Sequence, residues 1–97
     1  MIISFGDKAT EALFHGRSTK PIRRYPPEVR RIAVRKLDMI NSARVFQDLR
    51  SPRGNRLETL KGDLLGFFSV RINDQWRVVF KWERTDAQEV RILDYHK

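Results

Sequence analysis

The sequence predicts an α+β domain, because one stretch alternates with the period of a hairpin and another repeats with the period of a helix. Between Gly66 and Trp82 the chain reads GFFSVRINDQWRVVFKW, with apolar residues at every second position on both sides of Asn73-Asp74-Gln75. From Pro27 to Ala43, Val29, Ile32, Ala33, Leu37 and Ile40 recur at intervals of three and four, which gives one apolar stripe along a helix. The 97 residues suffice for one core and not for two. The expected architecture is a short N-terminal strand and two helices packed on a mainly antiparallel twisted sheet, one domain spanning 1–97.

Taken in order, Met1 to Phe5 is short and β-prone and is expected to be the first strand. Gly6-Asp7 turns it into a first helix, with Asp7 as N-cap, an apolar stripe of Ala9, Ala12, Leu13 and Phe14, and Gly16 as terminator. Arg17 to Tyr25 lacks a period and reads as a basic loop, closed by Pro26-Pro27 at the entry of the second helix. Val45 to Asn55 is a turn-rich connector that Phe46 and Leu49 pin to the core. Arg56 to Gly62 alternates weakly and is expected to be a strand. After the hairpin, Thr85-Asp86 breaks the chain and Glu89 to Tyr95 forms the last strand.

The hairpin has a legible register. With Asn73-Asp74-Gln75 as the loop, Ile72 faces Trp76, Val70 faces Val78 and Phe68 faces Phe80, so these six side chains form a core face. The same register sets Arg71 opposite Arg77 on the other face. Like charges in a cross-strand pair repel, and an anion such as phosphate would relieve them.

Composition narrows the function. The formal net charge is +8, and thirteen Lys or Arg against four acids fall between Arg17 and Lys61. An Arg-dominated block on a small domain points to a polyanionic partner, with an acidic protein surface as the alternative. No Cys is present, which excludes a disulfide framework and a thiolate metal site. His15 and His96 form no recognisable metal-ligand spacing, so neither metal nor cofactor is expected. No stretch reads as a signal peptide or a membrane span, so a cytoplasmic protein without a membrane partner is expected.

Two further stretches carry chemistry. Leu57 to Asp63 sets Glu58 and Lys61 three residues apart just upstream of the hairpin, and the chain closes on Asp94-Tyr95-His96-Lys97. With Arg71 and Arg77 these supply a base for a ribose 2′-hydroxyl, cations for the phosphate and an acid for the departing 5′-oxygen. Each piece alone is also an ordinary strand end or surface charge.

In combination they are specific. Leu60-Lys61-Gly62-Asp63, then Val70-Arg71-Ile72-Asn73-Asp74-Gln75-Trp76-Arg77-Val78, then Ile92-Leu93-Asp94-Tyr95-His96, resemble the HigB branch of the RelE/ParE toxin superfamily. Leu49 to Glu58 is similar to the subgroup described as plasmid maintenance killer proteins, and the likeness runs the length of the chain. It implies a toxin of a type II toxin–antitoxin system, a ribosome-dependent mRNA endonuclease restrained by a HigA-type helix-turn-helix antitoxin. Carried over by position, Lys61 and Arg77 match basic residues of the family site, and Asp94, Tyr95 and His96 match its C-terminal trio. Where the best-known HigB pattern has a His in the strand before Leu-Lys-Gly-Asp, this chain has Glu58, which matches the general base of other RelE relatives.

The expected catalytic set is therefore Glu58, Lys61, Arg77, Asp94, Tyr95 and His96, with Arg53, Arg56, Arg71 and Lys97 as phosphate contacts. His96 or Glu58 takes the 2′-proton, and the other, or Tyr95, serves the leaving group. Arg77→Ala is expected to weaken cleavage and leave the fold intact. The competing function is a non-enzymatic basic toxin that poisons DNA gyrase, as ParE-type members do, or blocks an RNA or ribosome site by occupancy.

Overall fold

Helices α1 (Lys8–Phe14) and α2 (Pro27–Ser42) pack on a four-stranded sheet of β1 (Glu58–Thr59), β2 (Phe68–Arg71), β3 (Trp76–Glu83) and β4 (Asp86–Asp94). The computed structural model describes residues 1–95. The strands follow one another across the sheet in chain order and every neighbouring pair is antiparallel.

The hairpin has the expected register. Phe68 pairs with Phe80, Val70 with Val78 and Arg71 with Arg77, and Ile72 N–H donates to the Trp76 carbonyl at 2.9 Å. Asn73 Oδ1 closes the loop by accepting from the backbone of both Gln75 and Trp76 at 2.8 Å. Val70, Ile72, Trp76, Val78 and Phe80 are buried against Val29, Ala33, Leu37 and Ile40 of α2, while Phe68 is half-buried at the margin. Removing these apolar faces from water is the main source of stability.

Both helices begin and end as their sequences direct. Asp7 Oδ1 accepts from Thr10 N–H at 2.8 Å, which caps α1. Gly16, at φ +71°, lets the backbone turn back so that Arg17 N–H reaches the Ala12 carbonyl at 2.9 Å. Helix α2 starts on Pro27, whose missing N–H would have had no partner there. The basic segment before it holds a 3₁₀ turn, Lys20–Arg24, and the buried Tyr25 then meets Trp76 edge-on at 5.5 Å. Two more 3₁₀ turns, Phe46–Arg50 and Arg53–Asn55, build the connector. Leu49 is buried, and the Phe46 ring packs at a tilt against Phe68, with centroids 4.5 Å apart. Asp48 accepts from the N–H groups of Arg44 and Val45, and these bonds hold its carboxyl below the usual range.

Three expected strands need correction. Met1 to Phe5 is not a continuous strand; it makes two isolated parallel bridges to β4, Ile2 with Ala87 and Phe5 with Val90. The ladder breaks where Glu89, at φ +52°, turns its N–H to Ser4 Oγ at 2.8 Å. The same residue is the extra one in a bulge that shifts the β3–β4 register between Val79 and Lys81. The strand expected over 56–62 shrinks to Glu58–Thr59, because Arg56 enters it at φ +43° and Gly62 leaves it at φ +63°. The last strand starts at Asp86 rather than Glu89, since Arg84 at φ +60° makes a tight turn directly after β3.

Candidate functional site

The sheet face away from the helices carries the charged residues, placed there by strand alternation. Glu58 of β1 pairs with Ser69 of β2, Arg77 of β3 lies beside Arg71 and Leu93, and Val79 lies between Ser69 and Arg91. Arg77 is the hub. Its Nε donates to Ser69 Oγ at 2.7 Å, its Nη2 donates to the Arg56 carbonyl at 2.6 Å, and Glu58 Oε1 stands 3.1 Å from the same nitrogen. The Arg77 side chain is only 12% exposed and Glu58 is 56% exposed, so the arginine is fixed and the carboxylate remains open to solvent. The Tyr95 ring centroid lies 5.9 Å from the Arg77 guanidinium carbon. Burial pushes the Tyr95 phenol above its ordinary pKa; Arg77 opposes this and Glu58 adds to it.

The repulsion expected between Arg71 and Arg77 is relieved from within the chain. Arg71 Nη2 bonds Asp74 Oδ1 at 2.5 Å and Arg77 meets Glu58, so each guanidinium has a carboxylate of its own. The opposed pair is therefore not in itself a sign of a missing phosphate.

Next to Glu58, a groove of about 370 Å³ runs along β1 and the connector. Exposed Arg50, Arg53 and Arg56 line it together with half-buried Phe46, Leu57 and Phe68. The connector is tied down by Asn55, which is 1% exposed. Its Oδ1 accepts from Lys36 Nζ at 2.6 Å, and its Nδ2 donates to the carbonyls of Leu49 at 3.2 Å and Ser51 at 3.4 Å. Lys36 sits below its ordinary pKa, first because it is desolvated and then because Arg71 and Arg35 are close.

This arrangement presents a fixed guanidinium between an open carboxylate and an un-ionised phenol, with three arginines on the approach. It suits the binding of a phosphodiester and proton transfer on either side of it. A family model described as the RelE-like toxin of type II toxin–antitoxin system HigB matches residues 3–96. The chain belongs to the HigB-like toxin family. It is 38% identical over 97 residues to Toxin HigB-1 of Vibrio cholerae, covering 100% of this chain and 99% of that protein. It is also 32% identical over 96 residues to Endoribonuclease HigB of Proteus vulgaris, covering 99% and 100%. The fold is shared with the YoeB–YefM complex from Staphylococcus aureus, at a TM-score of 0.60 and 15% identity over 100% of this chain and 99% of that one.

Within this HigB-like chain, the expected site residues do not all converge. Glu58, Arg77 and Tyr95 do, and Arg53 and Arg56 line the adjoining groove. Lys61 is exposed just beyond β1, at the head of the 3₁₀ turn Gly62–Leu64. Arg71 faces a different concavity, shared with Arg35 and Lys36. Asp94 is in register with Trp76, hence on the helix-packed face, and borders a groove with Asp7, Arg24 and Tyr25. It is thus across the sheet from Tyr95 and Arg77. His96 and Lys97 lie outside the described residues.

Sequence reasoning missed Ser69, Arg50 and Asn55. The hairpin register could have found Ser69, which sits two pairs along from Arg71 and Arg77 and so shares their face. Among the described residues no helix is long and apolar enough to cross a membrane, and no three His, Cys, Asp or Glu side chains gather as a metal site.

Proposed function

We propose that this HigB-like toxin is an endoribonuclease that cuts mRNA on the ribosome in the cytoplasm and is held in check by a HigA-type helix-turn-helix antitoxin. The observation that carries the reading is Arg77, braced by Ser69 and Arg56 and set between Glu58 and Tyr95. The Proteus relative is named an endoribonuclease, and the Staphylococcus neighbour is a YoeB–YefM complex, which supports an antitoxin partner.

In this scheme the ribose 2′-oxygen attacks the adjacent phosphorus, the bond to the 5′-oxygen breaks, and a 2′,3′-cyclic phosphate remains on the upstream fragment. Glu58 or His96 takes the 2′-proton, and the other of the two, or Tyr95, returns one to the 5′-oxygen. Tyr95 can act as donor because a phenol is protonated at neutral pH, while burial, which raises its pKa, makes it the weaker acid of the set. Arg77 stabilises the charge that builds on the non-bridging oxygens, and Lys61, which stands outside that convergence, meets the strand just beyond β1. Arg50, Arg53 and Arg56 guide the strand toward them. The protons balance without a metal.

Primer extension on mRNA from cells expressing the chain tests this. Discrete cuts inside translated frames, absent when purified toxin meets the same mRNA without ribosomes, are the expected result. Growth arrest with DNA damage and intact mRNA would replace the nuclease reading with a gyrase poison.

A further inference from the structure

The open sheet face extends past Arg77 to a feature that the cleavage scheme leaves unused. Phe67, half-buried just before β2, has Lys81 Nζ 5.1 Å and the Arg91 guanidinium carbon 5.9 Å from its ring centroid. Lys81 and Arg91 belong to this same face, because Lys81 follows Arg77 and Val79 at alternate positions of β3 and Arg91 is in register with Val79. Ser69 and Val79, both fully buried, stand between the Phe67 group and Arg77 on this face of the sheet.

We infer that Phe67, Lys81 and Arg91 form a second nucleotide subsite, which stacks a base of the same RNA strand beside the cut and holds its phosphate. The inference rests on the proposed RNA substrate. Single-stranded nucleic acid is commonly bound by an aromatic ring for the base and cations for the backbone, and this group supplies both once Lys81 and Arg91, which lie over the Phe67 ring, turn from it to the phosphate. The cations are only partly used within the protein. Lys81 pairs with Glu89 Oε2 at 3.0 Å, a pair about half exposed on both sides, and Arg91 Nε is buried without a hydrogen-bond partner. The stem of Arg91 passes so close to Gly6 that a Cβ there would lie 3.1 Å from its Cδ, so the backbone leaves room for the arginine in this position. Placement on the same sheet face as Arg77 and the complementary charge select an RNA strand as the occupant.

Two substitutions separate stacking from a role as plain apolar cover. Phe67→Leu keeps apolar cover and removes the π-face, and Phe67→Trp keeps both. Ribosomes programmed with mRNA that carries a 2′-deoxy nucleotide at the cut, and 2-aminopurine at each flanking position in turn, report stacking by quenching of fluorescence. The parent chain and Phe67→Trp are expected to quench one flanking position, and Phe67→Leu to leave it bright. On cleavable mRNA, Phe67→Leu should need about tenfold more toxin for half-maximal cutting, with an unchanged single-turnover rate at saturation. The two proteins should converge on an mRNA truncated before that position. A Phe67→Leu chain that quenches and cuts like the parent overturns the subsite, as does one that loses rate at saturation and thermal stability while quenching persists. A parent chain that cuts no mRNA sinks the nuclease reading itself, and the subsite with it.

Discussion

Arg77 Nη2 donates to the Arg56 carbonyl at 2.6 Å, which fastens the centre of the sheet to the exit of the connector. Arg77→Ala removes this bond, the one to Ser69 and the pairing with Glu58 together. Cleavage should fall by about 10²–10³-fold if the guanidinium stabilises the transition state. The substitution also leaves polar groups of a nearly buried arginine's neighbours without a partner, so a stability loss of about 1–3 kcal/mol should accompany it. Arg77→Ala is therefore not silent in the fold, and single-turnover cleavage should be compared with Arg77→Lys well below both melting temperatures. Equal rates for the parent and both variants would remove Arg77 from the mechanism.

Glu58→Gln isolates chemistry from stability. The carboxylate is more than half exposed, so its ion pair with Arg77 contributes under about 1 kcal/mol. The melting temperature should barely move, while cleavage drops on the order of 10²-fold if Glu58 is the base. Full activity in this variant would hand the base to His96.

Asn55 should behave as a structural tie. Asn55→Ala deprives Lys36 and the carbonyls of Leu49 and Ser51 of their partner and should cost about 1–3 kcal/mol. Asn55→Asp keeps an acceptor for Lys36 but turns a buried carboxylate oxygen toward the carbonyls of Leu49 and Ser51, so its cost should be at least as large. Denaturant unfolding with an unchanged slope and a shifted midpoint would measure both.

The two tyrosines, Tyr25 and Tyr95, give a pH signature. Both phenols are raised above the ordinary value near 10, chiefly by burial. A group raised on folding contributes stability that is fully present below its unfolded pKa and is lost as pH rises through the folded one. Phenolate absorbance should accordingly appear at higher pH in the folded chain than in the unfolded one, and the folded state should weaken in that same alkaline window. A tyrosine titrating at its unfolded value would contradict the burial of at least one ring.

Much of this was legible because it is local. The alternation around Asn73-Asp74-Gln75 placed Arg77 and its neighbours on one face, and the stripe from Val29 to Ile40 placed α2. Strand ends were less legible, since they depend on left-handed residues such as Arg56 and Arg84 that sequence pattern does not mark. The register of β4 was hidden for a related reason: the bulge at Glu89 shifts it by one residue. Asp94 was within reach, because neighbours in a strand point to opposite faces and Asp94 cannot share one with Tyr95. The grouping of Glu58 with Arg77 required a pairing across the sheet that no local signal carries.

The shortness of β1 bears on how such a molecule survives at high concentration. An outer strand that offers a long row of bare amides invites strands from other chains to add to it, the first step toward fibrils. Here that margin is two residues long, is bent away at Arg56 and Gly62, and lies beside three arginines, whose charge opposes the approach of a second basic strand.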